Sequence, residues 1–278
     1  MSEDSTAELL PFPARFGALP RYGGQGIIRR PWERPALAAA PALGWCCQCV
    51  DGENGDAWDE VAAPFILREP EWRVWRRLPR SAARRRWMRG RVAAKDAVRW
   101  LLWERSGILA PLESICVFPD ERGQPHVSCA GLPEAGTRMS VSISHSGSSS
   151  VALVAERSEF CRGVGIDVAS QAEDHEGLAE GGFASAETAL LDGCPAPERP
   201  DWLLRLWCAK EAVGKALGRG LLGNPLAFVV RRINRGRGTV EVEARLDLEM
   251  TVPADGPARM TARVGCDRGM AFAVARRE

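Results

Sequence analysis

The stretch LRLWCAKEAVGKALGRG, residues 204–220, holds three side chains spaced for chemistry. Trp207, Glu211 and Lys215 lie four residues apart, so on a helix they share one face. Leu206, Ala209, Val213, Ala216 and Leu217 would supply the buried side. A glutamate can bind a metal or accept a proton, and a lysine one turn away can hold a phosphate. The plainer reading is a surface ion pair worth about 0.3–0.5 kcal/mol. The lysine content argues against that reading. The chain has 37 Lys and Arg, yet lysine occurs only at Lys95, Lys210 and Lys215. Where arginine is the default cation, a retained lysine points to a need for a compact ammonium group.

Asp167 is the second candidate. In GVGIDVAS it follows apolar and glycine residues, which places it at or near the end of a buried strand. A carboxylate there has to be hydrogen-bonded, paired or metal-bound; a turn-capping aspartate is the alternative. Mg²⁺ takes one or two protein carboxylates plus water and phosphate oxygens, and Asp167 and Glu211 could be those two. His145, in SISHSG, is one of three histidines, with His126 and His175. It would end a strand beside a Ser/Gly turn. No G-x-S-x-G elbow is present, so a serine nucleophile is not supported. A contact to phosphate suits His145 better, against a purely structural histidine. The run from Trp72 to Arg91 holds nine arginines and no acid, with tryptophans interleaved. Such a run fits nucleic acid, a solvated helix face or a ligand with several phosphates. GRGLLG, residues 218–223, matches a dinucleotide fingerprint but follows a helix instead of a strand, so it is discarded.

The elements that must position these groups read as α+β. Residues 81–106 form an amphipathic helix with Ser81 as its cap. A strand, a turn at Asp120–Gly123 and a second strand come next. A hairpin follows with its turn at 146–150, then a buried strand at 163–170. Helices are expected at 185–191 and 201–218, the second ending at Gly218 and Gly220, and the tail carries four strand signals. Two halves of similar size, 61–155 and 156–278, would meet near residue 156. Residues 1–60, rich in Pro, Gly and Ala, read as a loosely ordered extension with a few short strands. The nine cysteines, including the cluster WCCQC, read as reduced thiols. A net charge of +1 gives no global pull toward nucleic acid or a membrane. No apolar run is long enough to span a bilayer and no secretory signal is expected, so the reading is a cytoplasmic protein.

The pattern GVGID, 39 intervening residues, then WCAKEAVGK resembles the signature of the 4'-phosphopantetheinyl transferase family. RGRVAAKDAVR, ERGQP and SISHSG resemble upstream elements of that family in the same order, over roughly residues 70–220. The resemblance is closest to the larger monomeric type that serves polyketide and nonribosomal peptide synthetases. It implies two pseudo-symmetric α+β halves with coenzyme A in the cleft between them. It implies transfer of phosphopantetheine to a serine of an acyl or peptidyl carrier protein, with no nucleic acid and no membrane involved. Asp167 and Glu211 would hold Mg²⁺. Glu211 would deprotonate the serine, directly or through water, and Lys215 would contact the phosphate. Ser144, His145, Arg91 and Lys210 would bind the cofactor phosphates, and Gly123, Gln124 and Pro125 its adenosine side.

Two positions depart from the family pattern. Ala169 stands where many members have a second glutamate, and Gln124 where many have lysine. The alternative is therefore a coenzyme A-binding scaffold with impaired catalysis.

Overall fold

The computed structural model describes residues 45–50, 56–108, 110–132, 138–245, 258–267 and 269–278. The Pro/Gly-rich segment before residue 45 lies outside them, as do the side chains of the WCCQC cluster.

Among the described residues, ten strands and two long helices form two similar halves. In the first half, β1 (Trp45–Val50) pairs antiparallel with β5 (Ser149–Glu156), which pairs with β4 (Met139–Ser146). The hairpin of β2 (Ile115–Pro119) and β3 (Pro125–Cys129) completes this half. In the second half, β6 (Gly163–Ser170), β10 (Met270–Arg277), β9 (Ala258–Asp267), β8 (Thr239–Ala244) and β7 (Phe228–Asn234) form one sheet in that order. Counted from β1 and from β6, the first three strands follow the same order, but β2 and β3 stand apart as a two-stranded sheet where β8 and β7 continue the larger one. Helices α1 (Asp56–Ile66), α2 (Glu69–Arg77) and α3 (Ala82–Ser106) serve the first half. Helices α4 (Leu178–Gly182), α5 (Ser185–Thr188) and α6 (Arg199–Ala216) serve the second. The mixed α+β class expected from the sequence is what forms. β1 and the start of α1 belong to the first half, so that half already includes residue 45; it does not begin at residue 61. The halves meet at residues 157–162, between β5 and β6.

A buried lysine in each long helix shows how closely the halves repeat. Lys95 of α3 is fully buried on Glu71 at 2.6 Å and on the carbonyls of Ile66 and Leu112. Glu71 accepts in turn from the backbone of Arg68 and Val117. Lys210 of α6 is fully buried on Glu187 at 2.8 Å and on the carbonyls of Gly182 and Pro225. Glu187 accepts from the backbone of Ala184 and Val230. Both glutamates are third residues of short helices and reach back to the residue before the first turn. Each pair ties a helix start, the long helix and the first strand of the hairpin that follows. A charge so deep is tolerated only when all its donors and acceptors are met.

The seam between halves is made by serines. Residues 140, 142, 144 and 146 of β4 are all serine and share one face with Val151, Leu153 and Ala155 of β5. The four hydroxyls accept from the backbone N–H groups of Val164, Ile166, Val168 and Ser170 on β6. Side chains thereby do what a neighbouring strand would do for a sheet edge. Val164, Ile166 and Val168 pack on Val151, Leu153 and Ala155 in a small core at this seam. The other face of β6, with Gly163, Gly165, Asp167 and Ala169, turns to α6. A Cβ on Gly165 would lie 1.8 Å from the carbonyl oxygen of Ala212, so only glycine lets the helix sit this close. Among the described residues no helix is long and apolar enough to cross a membrane.

Candidate active site

A cleft of about 390 Å³ opens where the seam meets α6. The N-terminal half contributes Arg86 of α3 and residues 143–146 of β4; the C-terminal half contributes Asp167, Ala169, Glu173, His175, Trp207, Glu211 and Lys215. Of the residues expected from the sequence, Asp167, Glu211, Lys215, Ser144 and His145 are brought together here. Two strands and one helix do it. β4 presents Ser144 toward the seam and His145 toward α3, β6 presents Asp167 toward α6, and α6 presents Glu211 and Lys215 one turn apart.

Asp167 is buried. Its Oδ1 accepts from Ser144 Oγ at 2.7 Å and from Lys215 Nζ at 2.7 Å. Lys215 also donates to the carbonyl of Ile166 at 3.2 Å. An ammonium has three hydrogens, so one remains to meet a ligand oxygen. Burial, then the Asp167 charge, pushes the Glu211 carboxyl above the usual carboxylate range, and Lys215 only partly offsets this. Two carboxylates facing one lysine leave the site short of positive charge, which is the electrostatic setting of a divalent cation site. Cys208, on α6 behind Asp167, is no metal ligand: burial, then Asp167, raises its thiol well above the usual value. Among the described residues no group of three or more His, Cys, Asp or Glu is arranged to hold a metal.

His145 is neutral at ordinary pH. Burial, followed by the charges of Lys215, Arg86 and Arg91, holds it down to about 4. Its Nδ1 lies 2.7 Å from Ser150 Oγ. Its ring packs on Gly90, where a Cβ would come within 2.5 Å of Cε1. The imidazole can therefore offer a phosphate a hydrogen bond, but not a charge.

Lys210 does not reach the cleft, contrary to expectation. Its ammonium is enclosed by Glu187 and two carbonyls, with the ring of Phe183 at 4.4 Å. Arg91 also falls outside the lining. Its guanidinium lies 4.5 Å from the centre of the Trp87 ring, and Arg86 takes the place expected of it. Gly123 in the β2–β3 turn and Pro125 at the start of β3 lie away from the lining, while the Gln124 side chain reaches across to Gly218 at the end of α6.

Sequence reasoning missed Arg86, Glu173 and His175. Glu173 accepts from Ser146 Oγ at 2.6 Å and from Gly147 N at 2.9 Å, and so ties the loop after β6 to the β4–β5 turn. Its one signal was position, an acid six residues beyond Asp167. The arginine run does not form one binding face. Arg73 pairs with Glu69, Arg80 and Arg84 with Glu60, and Arg89 donates to the carbonyl of Ser148.

A holo-(acyl-carrier-protein) synthase from Bacillus anthracis, solved in complex with CoA (3',5'-ADP), aligns over 42% of this chain and 96% of its own. Its identity is 24% and its TM-score 0.34, too distant to bear on the site. No curated protein sequence matches the chain. Residues 163–254 do match a family description, that of the 4'-phosphopantetheinyl transferase superfamily, and they include Asp167, Glu211 and Lys215. Over those residues, about a third of its length, the chain is similar to that superfamily.

Proposed function

We propose that this chain moves the 4'-phosphopantetheine group of coenzyme A to a serine hydroxyl of an acyl or peptidyl carrier protein. The observation that carries this reading is the convergence of Asp167, Glu211 and Lys215, from β6 and α6, with Ser144 and His145 of β4 in one cleft at the seam. Group transfer to phosphorus relies on positioning and on stabilising charge, and these residues supply both.

The serine oxygen would attack the phosphorus that carries pantetheine. The P–O bond to adenosine 3',5'-bisphosphate would break, and that bisphosphate would leave with the bonding pair. Glu211 takes the serine proton, directly or through a water; its raised carboxyl suits a base working near neutral pH. Lys215 holds Asp167 with one hydrogen and offers another to the phosphate oxygens. His145 and Arg86 hold further phosphate oxygens from the β4 and α3 side. Asp167 and Glu211 fit Mg²⁺, which would draw negative charge from the pyrophosphate. Ala169 lines the cleft and adds no ligand, so water has to fill that place. Because one chain supplies both walls, we infer a monomer of the larger type that serves synthase carriers. Cys116, Cys129, Cys161, Cys194 and Cys208 are buried free thiols, which suits the cytoplasm.

The test is incubation of the full chain with coenzyme A, Mg²⁺ and a panel of apo carrier proteins, read by mass spectrometry. A phosphopantetheine mass gain on a carrier supports the reading, and loss of that gain with EDTA supports the metal. Tight coenzyme A binding with no carrier modified under any condition overturns it in favour of a scaffold that binds without catalysis.

A further inference from the structure

The turn between β4 and β5 presents donors for an anion, and the chain already holds one of its own carboxylates on them. The hydroxyl of Ser146, a buried residue at the end of β4, donates to Glu173 Oε2 at 2.6 Å. The Gly147 N–H donates to Glu173 Oε1 at 2.9 Å. Each carboxylate oxygen thus takes one donor, as two oxygens of a phosphate would. Ser146 Oγ is itself held by the Ser170 N–H at 2.8 Å, so this donor is fixed in place before any ligand arrives. The donor set favours negative charge. The Ser146 bond, opposed by burial and then aided by Gly147, His175 and Arg86, holds the Glu173 carboxyl below the usual carboxylate range.

Ser146, Glu173, Arg86, His145 and Lys215 all line the cleft. A phosphate bound there meets Glu173 as a rival for Ser146 and Gly147, and the carboxylate repels it besides. Glu173 can yield. It lies in the loop after β6, where residues 171–174 are exposed, and its backbone has a separate anchor, its N–H donating to the Ser170 carbonyl at 3.2 Å. Turning the side chain into water frees both donors without moving that anchor. Asp174, the next residue, gives its Oδ1 to the Glu176 N–H at 2.9 Å instead. The loop therefore carries two adjacent acids, one seated on the turn and one engaged within the loop.

We infer that Glu173 is an internal stand-in for a ligand phosphate. Its carboxylate fills an oxyanion subsite made by Ser146 Oγ, the Gly147 N–H and Arg86, and a phosphate of the bound nucleotide takes that subsite by displacing it. Glu173 thereby sets how tightly the chain holds phosphate-bearing ligands, because apparent affinity falls with the fraction of molecules whose subsite is filled. The inference rests on the proposed phosphopantetheine transfer only in that the ligand of this cleft carries phosphate.

The test is calorimetric titration of the full chain with adenosine 3',5'-bisphosphate, the product of the proposed transfer, in a phosphate-free buffer at constant ionic strength. Glu173→Ala should bind the bisphosphate about three- to tenfold more tightly than wild type. Asp174→Ala removes an equal charge from the same loop and should change binding less than about twofold. Both residues are exposed, and circular dichroism checks the variants. In the carrier assay, Glu173→Ala should also lower KM for coenzyme A. Equal or weaker bisphosphate binding by Glu173→Ala would leave Glu173 as a tie between loop and turn and overturn the inference. So would an equal gain in Asp174→Ala, which would reveal a general effect of charge, or a KM that stays level or rises. If wild type and Glu173→Ala both fail to bind the bisphosphate, the proposed transfer falls as well. Wild-type binding with no gain in the variant removes this inference alone.

Discussion

Replacing Gly165 by alanine tests whether the contact between β6 and α6 sets the site. Gly165 stands two residues before Asp167 on the same strand face. An added Cβ would lie 1.8 Å from the Ala212 carbonyl oxygen and 2.7 Å from the Ala216 nitrogen. Both are backbone atoms, so no side chain can rotate away. Real Cβ contacts stay beyond 3.0 Å, so α6 has to withdraw by more than 1 Å. Ala212 follows Glu211 and lies three residues before Lys215, so the withdrawal acts on the segment that carries both. The 2.7 Å bond between Lys215 and Asp167 would be pulled apart. Overpacking of this kind costs about 1–3 kcal/mol. At about 2–4 °C per kcal/mol for chains of roughly this size, the melting temperature should fall by several degrees. A misplacement of about 1 Å at reacting groups costs about 10²-fold in rate. Carrier modification, assayed with saturating coenzyme A, should show that loss mainly in kcat. Gly193→Ala is the control, because a Cβ there meets nothing within 4 Å. A Gly165→Ala protein with normal kcat and normal melting would refute the argument that this close approach positions the site.

Three other variants probe the electrostatics. Glu211→Gln should lose most turnover yet melt higher than wild type near neutral pH. A raised carboxyl weakens the fold as pH climbs from the ordinary carboxylate range through its folded value, and the amide has no such loss. A lower melting temperature for this variant would contradict that assignment. His145→Asn should flatten the stability profile between pH 6.5 and 4. The depressed imidazole stabilises the fold fully above 6.5 and loses that contribution as pH falls toward about 4. An unchanged slope in urea melts across this window would count against it. Lys95→Met and Lys210→Met should each destabilise by about 3–5 kcal/mol, since each strands a buried glutamate. Pairing Lys210→Met with Glu187→Leu should recover much of that loss in thermal melts, and no recovery would show that the pair contributes more than mutual compensation.

How much of this was legible depended on which residues speak through local pattern. The helices at 82–106 and 199–216 and the strand at 163–170 follow from apolar periodicity, and they form nearly where that periodicity puts them. Asp167, Glu211 and Lys215 could be singled out because a buried strand end and a four-residue spacing constrain where such side chains go. Lys210 could not be placed in this way. It neighbours Glu211 in sequence, but adjacent helical positions point about 100° apart, so one enters the cleft and the other the core. The sign that would have placed it is the capping glutamate Glu187, whose carboxylate needed a buried cation. Arg86 and Arg91 likewise sit five apart on α3, and composition alone cannot say which of them faces the cleft. The serine ladder was visible only as alternation in SVSISHS, a pattern equally at home on a solvent-facing strand.

The chain's three lysines now divide by task. Lys95 and Lys210 occupy equivalent positions and do equivalent structural work, which explains why neither became arginine. Each buried niche offers one carboxylate and two carbonyls to a small tetrahedral head, and a planar guanidinium would not fit that geometry. With Lys95 matched to Lys210, the first-half counterpart of Glu211 is Asp96 and that of Lys215 is Trp100. Asp96 is fully buried and Trp100 carries no charge, so the first half has no site of its own. What it keeps is the sheet face whose serines hold β6 and whose Ser144 hydrogen-bonds Asp167. The fold is thus doubled and the chemistry is not. One half holds Asp167, Glu211 and Lys215, the other supplies the wall against which Asp167 is fixed. Glu211 and Lys215 acquire their environment only because the two halves are joined along β4 and β6.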